Sequence, residues 1–266
     1  MKPYKIVSGF IKNQFSGKKK WQPYFEMMLR FSTNAMNYGH GSNFRKSGEL
    51  LALQFVNSKI KTTHPIIFDV GANVGKYAQA IAEVFGTKAI IKSFEPSAAT
   101  YKLLQKNIEP FKNIEAYNFA LSDAKGTATL YSTENNSEIA SLIDLDRTIK
   151  KYGSNTVETI EMETLDNFCK ANSIDHIDLL KIDVEGFELS VLKGASAMLK
   201  EKKVSYIQFE FGVPNIDSRT YFKDFWNLFK NDYTMYRIVQ NGLHPILQYA
   251  PHLEIFSTSN FLVEKK

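Results

Sequence analysis

The spacing of apolar positions changes character at His64. Before it, one helical set stands out over residues 47–61, with Leu50, Leu51, Leu53, Phe55 and Val56 apolar. Residues 34–43 are rich in Asn, Gly and Ser and read as a loop. Residues 1–60 therefore predict a helical N-terminal extension, a candidate substrate lid, ahead of one domain over 61–266. After His64, short apolar runs alternate with helical stretches. Strands are expected over 66–70, 89–94, 114–121, 177–184 and 204–211. Helices are expected over 76–85, 100–107, 164–172, 187–200 and 220–230. Strand–helix–strand repeats imply a parallel sheet, because each return needs a crossover. The fold class is α/β, doubly wound. Residues 127–131 and 157–162 alternate at period two and predict an inserted β-pair around a polar loop, 132–155. No helix fits between the last two strands, 233–239 and 255–263, so they are expected to be antiparallel neighbours.

Composition narrows the class. The chain has 266 residues, 44% of them apolar, enough for one large α/β domain with an appended segment. A formal charge of +5 is mildly basic, with no dense basic stripe, so no nucleic-acid partner is expected. Lys18–Lys20 before Trp21 read first as a solvated turn; peripheral contact with an anionic membrane surface is the alternative. Cys169 is the only cysteine, which excludes an internal disulfide or a cysteine zinc site. No apolar run has transmembrane length, and lysines interrupt the first residues before a signal-peptide core forms. A cytoplasmic protein is expected.

The chemistry concentrates at Asp69-Val70-Gly71-Ala72-Asn73-Val74-Gly75, where a strand becomes a helix. Gly71 permits a tight turn, Asn73 tolerates a left-handed backbone, and Gly75 allows close helix packing. Glu95 stands 20 residues after Gly75, at the end of the next strand, where a carboxylate can accept ribose hydroxyls. A dinucleotide fingerprint wants glycines where Asn73 and Lys76 stand. Their absence, with Asp69 beside the turn, disfavours a pyrophosphate. It suits S-adenosylmethionine, which carries ammonium and sulfonium charges.

Four motifs in order resemble the FkbM-type methyltransferases: Asp69 to Gly75, Phe94-Glu95-Pro96, Ala120-Leu121-Ser122-Asp123, and Leu180 to Glu188. Glu163 to Asp166 fits the same pattern. The resemblance covers about residues 64–212 and implies a class I fold: a seven-stranded, mostly parallel sheet with the last strand antiparallel. It also implies S-adenosylmethionine as donor, with a hydroxyl acceptor on a sugar, a polysaccharide precursor or a natural product. By the same resemblance, Asp69, Gly71, Asn73 and Gly75 would cradle the methionine part. Glu95, with Pro96, would hold the ribose. Ser122 and Asp123 would lie at the adenine. An NAD(P)-dependent oxidoreductase and a non-catalytic cofactor-binding scaffold are the rival readings.

Ligands in open α/β sheets bind at the carboxyl ends of strands. Asp183, Glu185, Glu210 and His244 follow strands; His64 and His176 precede them. Asp183, Glu210 and His244 are therefore the candidates to orient or deprotonate an acceptor, and Asp183 could equally hold the cofactor's ammonium. Glu188 falls inside the apolar arc of its helix and needs a partner, for which Lys181 is a candidate. Asp183, Glu185 and Glu188 are oxygen ligands of the kind magnesium takes, but such first-turn carboxylates are common without an ion. No metal is expected. Tyr38, His40, Phe44, Tyr221, Trp226 and Tyr249 are aromatic candidates for the acceptor face.

Overall fold

The computed structural model describes residues 14–40, 44–133, 136–141 and 155–266. The expected loops over 34–43 and 132–155 fall partly outside the described residues.

An eight-stranded sheet forms the centre. Its strands are β1 (Ile66–Val70), β2 (Ile90–Phe94), β3 (Ile114–Tyr117), β8 (Ile177–Ile182), β9 (Val204–Phe211), β10 (Tyr233–Val239), β11 (Gly242–Ile246) and β12 (Ser259–Lys265). Their order is β11-β10-β12-β9-β8-β1-β2-β3. The run β9-β8-β1-β2-β3 is parallel throughout. β12 lies antiparallel between β9 and β10, as expected for the last pair. β8 is buried along its whole length, which is why it reads as continuous apolar sequence.

Helices cover both faces. On one lie α2 (Glu49–Lys59), α3 (Lys76–Phe85) and α4 (Ala98–Ile108), meeting Ile67, Leu179 and Leu262. On the other lie α5 (Leu165–Ala171), α6 (Glu188–Lys193), α7 (Ser196–Lys200) and α8 (Phe222–Phe229), meeting Phe68, Leu180, Phe209 and Phe261. α1 (Gln22–Ala35) buries none of its residues. α2, grouped by sequence with the extension, instead packs Ala52, Leu53 and Val56 into the core.

Four expectations change. The sheet has eight strands rather than seven, because Gln240 and Asn241 turn the chain into a hairpin and add β11 at the edge. Pro245 inside β11 is tolerated because an edge strand needs only one row of hydrogen bonds. The expected strand over 114–121 is two: β3 stays in the main sheet, whereas β4 (Ala120–Leu121) joins a second one. That second sheet, β4-β7-β5-β6, enlarges the inserted pair of β5 (Gly126–Thr133) and β7 (Asn155–Glu163) with β6 (Asn136–Ser141). The expected helix over 187–200 breaks at Gly194, where any Cβ would come 1.9 Å from the Ser122 carbonyl oxygen. The Asp166 carboxylate caps the second half, accepting the Ala197 and Met198 amides at 2.7 and 3.0 Å.

Candidate active site

The glycine turn is held from both sides. Gly71 and Ala72 amides donate to the Phe94 carbonyl at the end of β2, and the Asp183 amide donates to the Val70 carbonyl. Gly71 has φ of +82°, and an added Cβ would lie 1.8 Å from the Asp183 carbonyl oxygen. Only glycine lets the exits of β1 and β8 touch this closely. Asn73 has φ of +49°, and its Oδ1 accepts the Val74 amide at 2.6 Å. Glu95 ties the turn to β2. Its carboxylate accepts the Asn73 and Ser97 amides, each at 3.0 Å. Burial pushes Glu95 up to about 7, against the lowering effect of those two amides.

A row of side chains crosses the face under α2 and α3. Ser93, Asp69, Lys181 and Gln208 are register partners on β2, β1, β8 and β9. Neither Asp69 carboxylate oxygen, both buried, finds a hydrogen-bond partner among the described residues. Burial raises Asp69 to about 6; Lys181 opposes the rise and Asp183 adds to it. Burial alone would lower Lys181, but Asp183, Glu49 and Asp69 outweigh it and hold the ammonium raised. Gln208 receives the Tyr77 hydroxyl at 2.8 Å and donates to Glu49 at 2.9 Å.

Beyond this row, at the carboxyl ends of β8 and β9, the carboxylates of Asp183, Glu185 and Glu210 converge within 4.8 Å of one another. Lys181 Nζ pairs with Asp183 at 2.9 Å. Glu185 sits in the left-handed region, φ of +51°, an uncommon conformation for a side-chain-bearing residue that recurs at functional sites. Burial raises Glu185 to about 8, with Asp183 and Glu188 adding to the rise. Burial, then Asp183 and Glu185, pushes Glu210 well above the carboxylate range. Asn260, directly opposite Glu210 on β12, keeps a buried Oδ1 without a partner among the described residues. A crowd of carboxylates can bind a cation, share a proton, or accept a proton from a substrate hydroxyl. Among the described residues these three are the group that could hold a metal ion, and such groups are common without one.

The structure assembles most of the expected residues along one edge. Asp69, Gly71, Asn73, Gly75, Glu95 and Pro96 surround the turn, and Asp183 and Glu210 meet beside it. Ser122 is buried and donates to Asp123 at 3.2 Å. Asn118, which sequence reasoning missed, donates to the Glu95 and Pro96 carbonyls at 2.9 and 2.8 Å. It sits where β3 departs for β4. His244 is not brought in: it lies exposed on β11, opposite Arg237, three strands out from β9. His176 precedes β8 and meets Ser205, on the opposite edge. Glu188 does not pair with Lys181. It accepts the Val184 and Gly186 amides at 3.2 and 3.0 Å and the Asn215 amide group at 3.1 Å. Asn215 in turn accepts the Gly212 amide at 2.8 Å. Glu188 and Asn215 thus fix the loops that carry Glu185 and follow Glu210. Of the aromatic candidates, Tyr38 is buried against Arg237, Phe44 packs on Tyr77, and Tyr249 donates to Glu254. Tyr221 is exposed.

The donor set fits S-adenosylmethionine. Orphaned Asp69 and the surplus of carboxylates over the single cation Lys181 suit a cationic cofactor, and Glu95 keeps lone pairs for hydroxyls.

The family model described as Methyltransferase FkbM domain matches residues 69–235, more than half of the chain. The chain belongs to that family, and its cofactor is S-adenosylmethionine. It is similar to "2-O-methyltransferase NoeI" of Sinorhizobium fredii, 24% identical over 162 residues, covering 57% of this chain and 66% of that protein. It is similar to "Methyltransferase sdnD" of Sordaria araneosa, 27% identical over 177 residues, covering 53% and 68%. It is also similar to "Hexuronic acid methyltransferase AglP" of Haloferax volcanii, 28% identical over 149 residues, covering 56% and 57%. The chain thus spans between 57% and 68% of these relatives' lengths.

Proposed function

We propose that the chain transfers a methyl group from S-adenosylmethionine to a hydroxyl of a sugar, a polysaccharide precursor or a natural product. The observation that carries this reading is the meeting of Asp183, Glu185 and Glu210 beside the glycine turn. When bound, the cofactor supplies an electrophilic methyl group, so the chain's task is to orient and deprotonate the acceptor. Asp69, Gly71, Asn73 and Gly75 hold the methionine part, Glu95 and Pro96 the ribose, and Ser122 and Asp123 the adenine rim. Asp183, fixed by Lys181, orients. Glu210, ionised once the cofactor's positive charge beside it offsets the crowding of Asp183 and Glu185, takes the hydroxyl proton at a carboxylate oxygen, and Glu188 with Asn215 positions it through the loops. The printed names of NoeI and AglP, a 2-O-methyltransferase and a hexuronic acid methyltransferase, support a hydroxyl-bearing sugar.

Incubation with donor and a library of hydroxylated acceptors, read by tandem mass spectrometry, tests the reading. One acceptor should gain a methyl on oxygen. Methylation confined to nitrogen would overturn it. Cofactor binding without turnover across the library would favour the scaffold instead.

A further inference from the structure

The helix α1 has the composition of a buried element and the exposure of a surface one. Phe31 is 75% exposed, Leu29 63% and Met27 61%. At about 100° per residue, Met27, Phe31, Tyr24, Met28, Phe25 and Leu29 fall within one arc of about 200°. Gln22, Glu26, Arg30 and Thr33 occupy the remainder. None of its residues is buried in the domain. Contiguous exposed apolar surface of this kind marks an interaction site.

Charge identifies what it meets. Residues 1–35 hold seven Lys and Arg against one Glu, a net +6, whereas the whole chain carries +5. All of the protein's excess positive charge therefore lies in and before this helix, and the rest sums to −1. Lys18, Lys19 and Lys20 lead directly into it. Trp21 at the junction meets Phe15 edge-to-face at 4.9 Å and Tyr24 at a tilt at 5.5 Å, beneath Lys20 Nζ at 5.7 Å. Apolar residues on one arc, lysines at the entrance and aromatic rings at the boundary match an interfacial helix on an anionic bilayer. Its 14 residues measure about 21 Å, so it lies in the surface and does not cross.

The helix also has a defined place. Just past its end, Asn37 donates to the Ser47 and Ile238 carbonyls at 2.7 and 3.1 Å, and Tyr38 accepts from Arg237 at 2.8 Å. The Gly39 amide then donates to the Thr258 carbonyl at 2.7 Å. Thr258 packs against Gly212, whose added Cβ would lie 2.9 Å from its Cα. Gly212 follows Glu210 by two residues. The helix is thereby rooted at the carboxylate edge of the sheet.

We infer that α1, with the lysines before it, is a docking element for an anionic lipid surface and sets the carboxylate edge beside that surface. This goes beyond the proposed reaction, and its test reads lipid binding without any methyl transfer.

The full chain is floated with vesicles of phosphatidylcholine alone and of an equimolar mixture with phosphatidylglycerol. It should rise with the anionic vesicles only, and less so as salt is added. The variant Lys18→Glu/Lys19→Glu/Lys20→Glu and the variant Met27→Ser/Phe31→Ser should each bind about tenfold less or weaker still. Their circular dichroism should be unchanged, because these side chains are exposed among the described residues. Should a variant misfold, Trp21 emission in a Trp226→Phe background replaces it and should shift to the blue on anionic vesicles. Equal binding to neutral vesicles, no binding at all, or undiminished binding by both folded variants would overturn the inference. So would a dimer in light scattering that the apolar substitutions dissolve, because the helix would then be covered by a second copy.

Discussion

Alternate residues of the same strands build two unlike faces. Phe68 on β1, Leu180 on β8, Phe209 on β9 and Phe261 on β12 point into an aromatic layer, where Phe209 stacks on Phe225 at 4.5 Å and on Phe261 at 5.4 Å. Their neighbours Asp69, Lys181 and Gln208 form the polar row on the other side and lead to Asp183 and Glu210. One face is largely apolar, whereas the other mixes its own apolar core, around Ile67, Leu179 and Leu262, with the polar row. That second face puts carboxylates where burial raises Asp69 to about 6 and Glu95 to about 7, a cost that a cationic cofactor offsets. Period two along a strand is enough to keep both tasks in one sheet.

The division can be attacked from either side. The largest effect is expected on the acidic face: Glu210→Gln should lower kcat by about 10²–10⁴-fold, with cofactor affinity and unfolding midpoint little changed. A near-normal kcat would place the base elsewhere. On the aromatic face, Phe209→Ala should cost about 3–5 kcal/mol in denaturant unfolding. The molecules that remain folded should bind S-adenosylmethionine as before. Lost affinity in the folded fraction would show that the faces are not separable.

Glu49 sharpens the contrast through pH. Burial raises its carboxyl from 4.5 to about 7, opposed by Lys181 and Ser47. Between those values the folded chain keeps a proton that the unfolded chain releases. The stability contribution is therefore complete below 4.5 and is lost as pH rises through about 7. Glu49→Gln should flatten part of this fall and add up to about 3 kcal/mol near pH 8, at about 1.4 kcal/mol per unit. An unaltered pH profile of the melting temperature would contradict it. The smallest effect is expected at the ribose: Glu95→Ala should weaken cofactor binding by about 1–3 kcal/mol, read by calorimetry. Unchanged affinity would mean that the ribose lies elsewhere.

The parts of this site legible in sequence are those written in backbone chemistry. Gly71, Asn73 and Gly75 are readable because only certain residues take positive φ, and Glu95, Asp183 and Glu210 because strand ends can be found from apolar runs. Contacts between distant segments are not readable that way. Glu188 was visible as a misplaced carboxylate, but its partner Asn215 lies 27 positions on, in another loop. Gly194 carries no local mark of a helix break, because what demands the glycine is the distant Ser122 carbonyl. The break at Asn118 carries no glycine or proline to mark it, so Ile114 to Leu121 reads as one mostly apolar run. His244 follows a strand in sequence, but sequence does not tell that this strand lies at the far edge of the sheet, three strands from β9. α2 reads as a helix with an apolar set, and nothing local tells that Glu49 on it reaches Gln208.

The central claim is that the acidic edge holds a cationic methyl donor. Calorimetric titration of the purified chain with S-adenosylmethionine, and separately with NAD, tests it most directly. The account predicts saturable one-to-one binding of S-adenosylmethionine and none of NAD. A folded chain that ignores S-adenosylmethionine, or that takes NAD in its place, would contradict it.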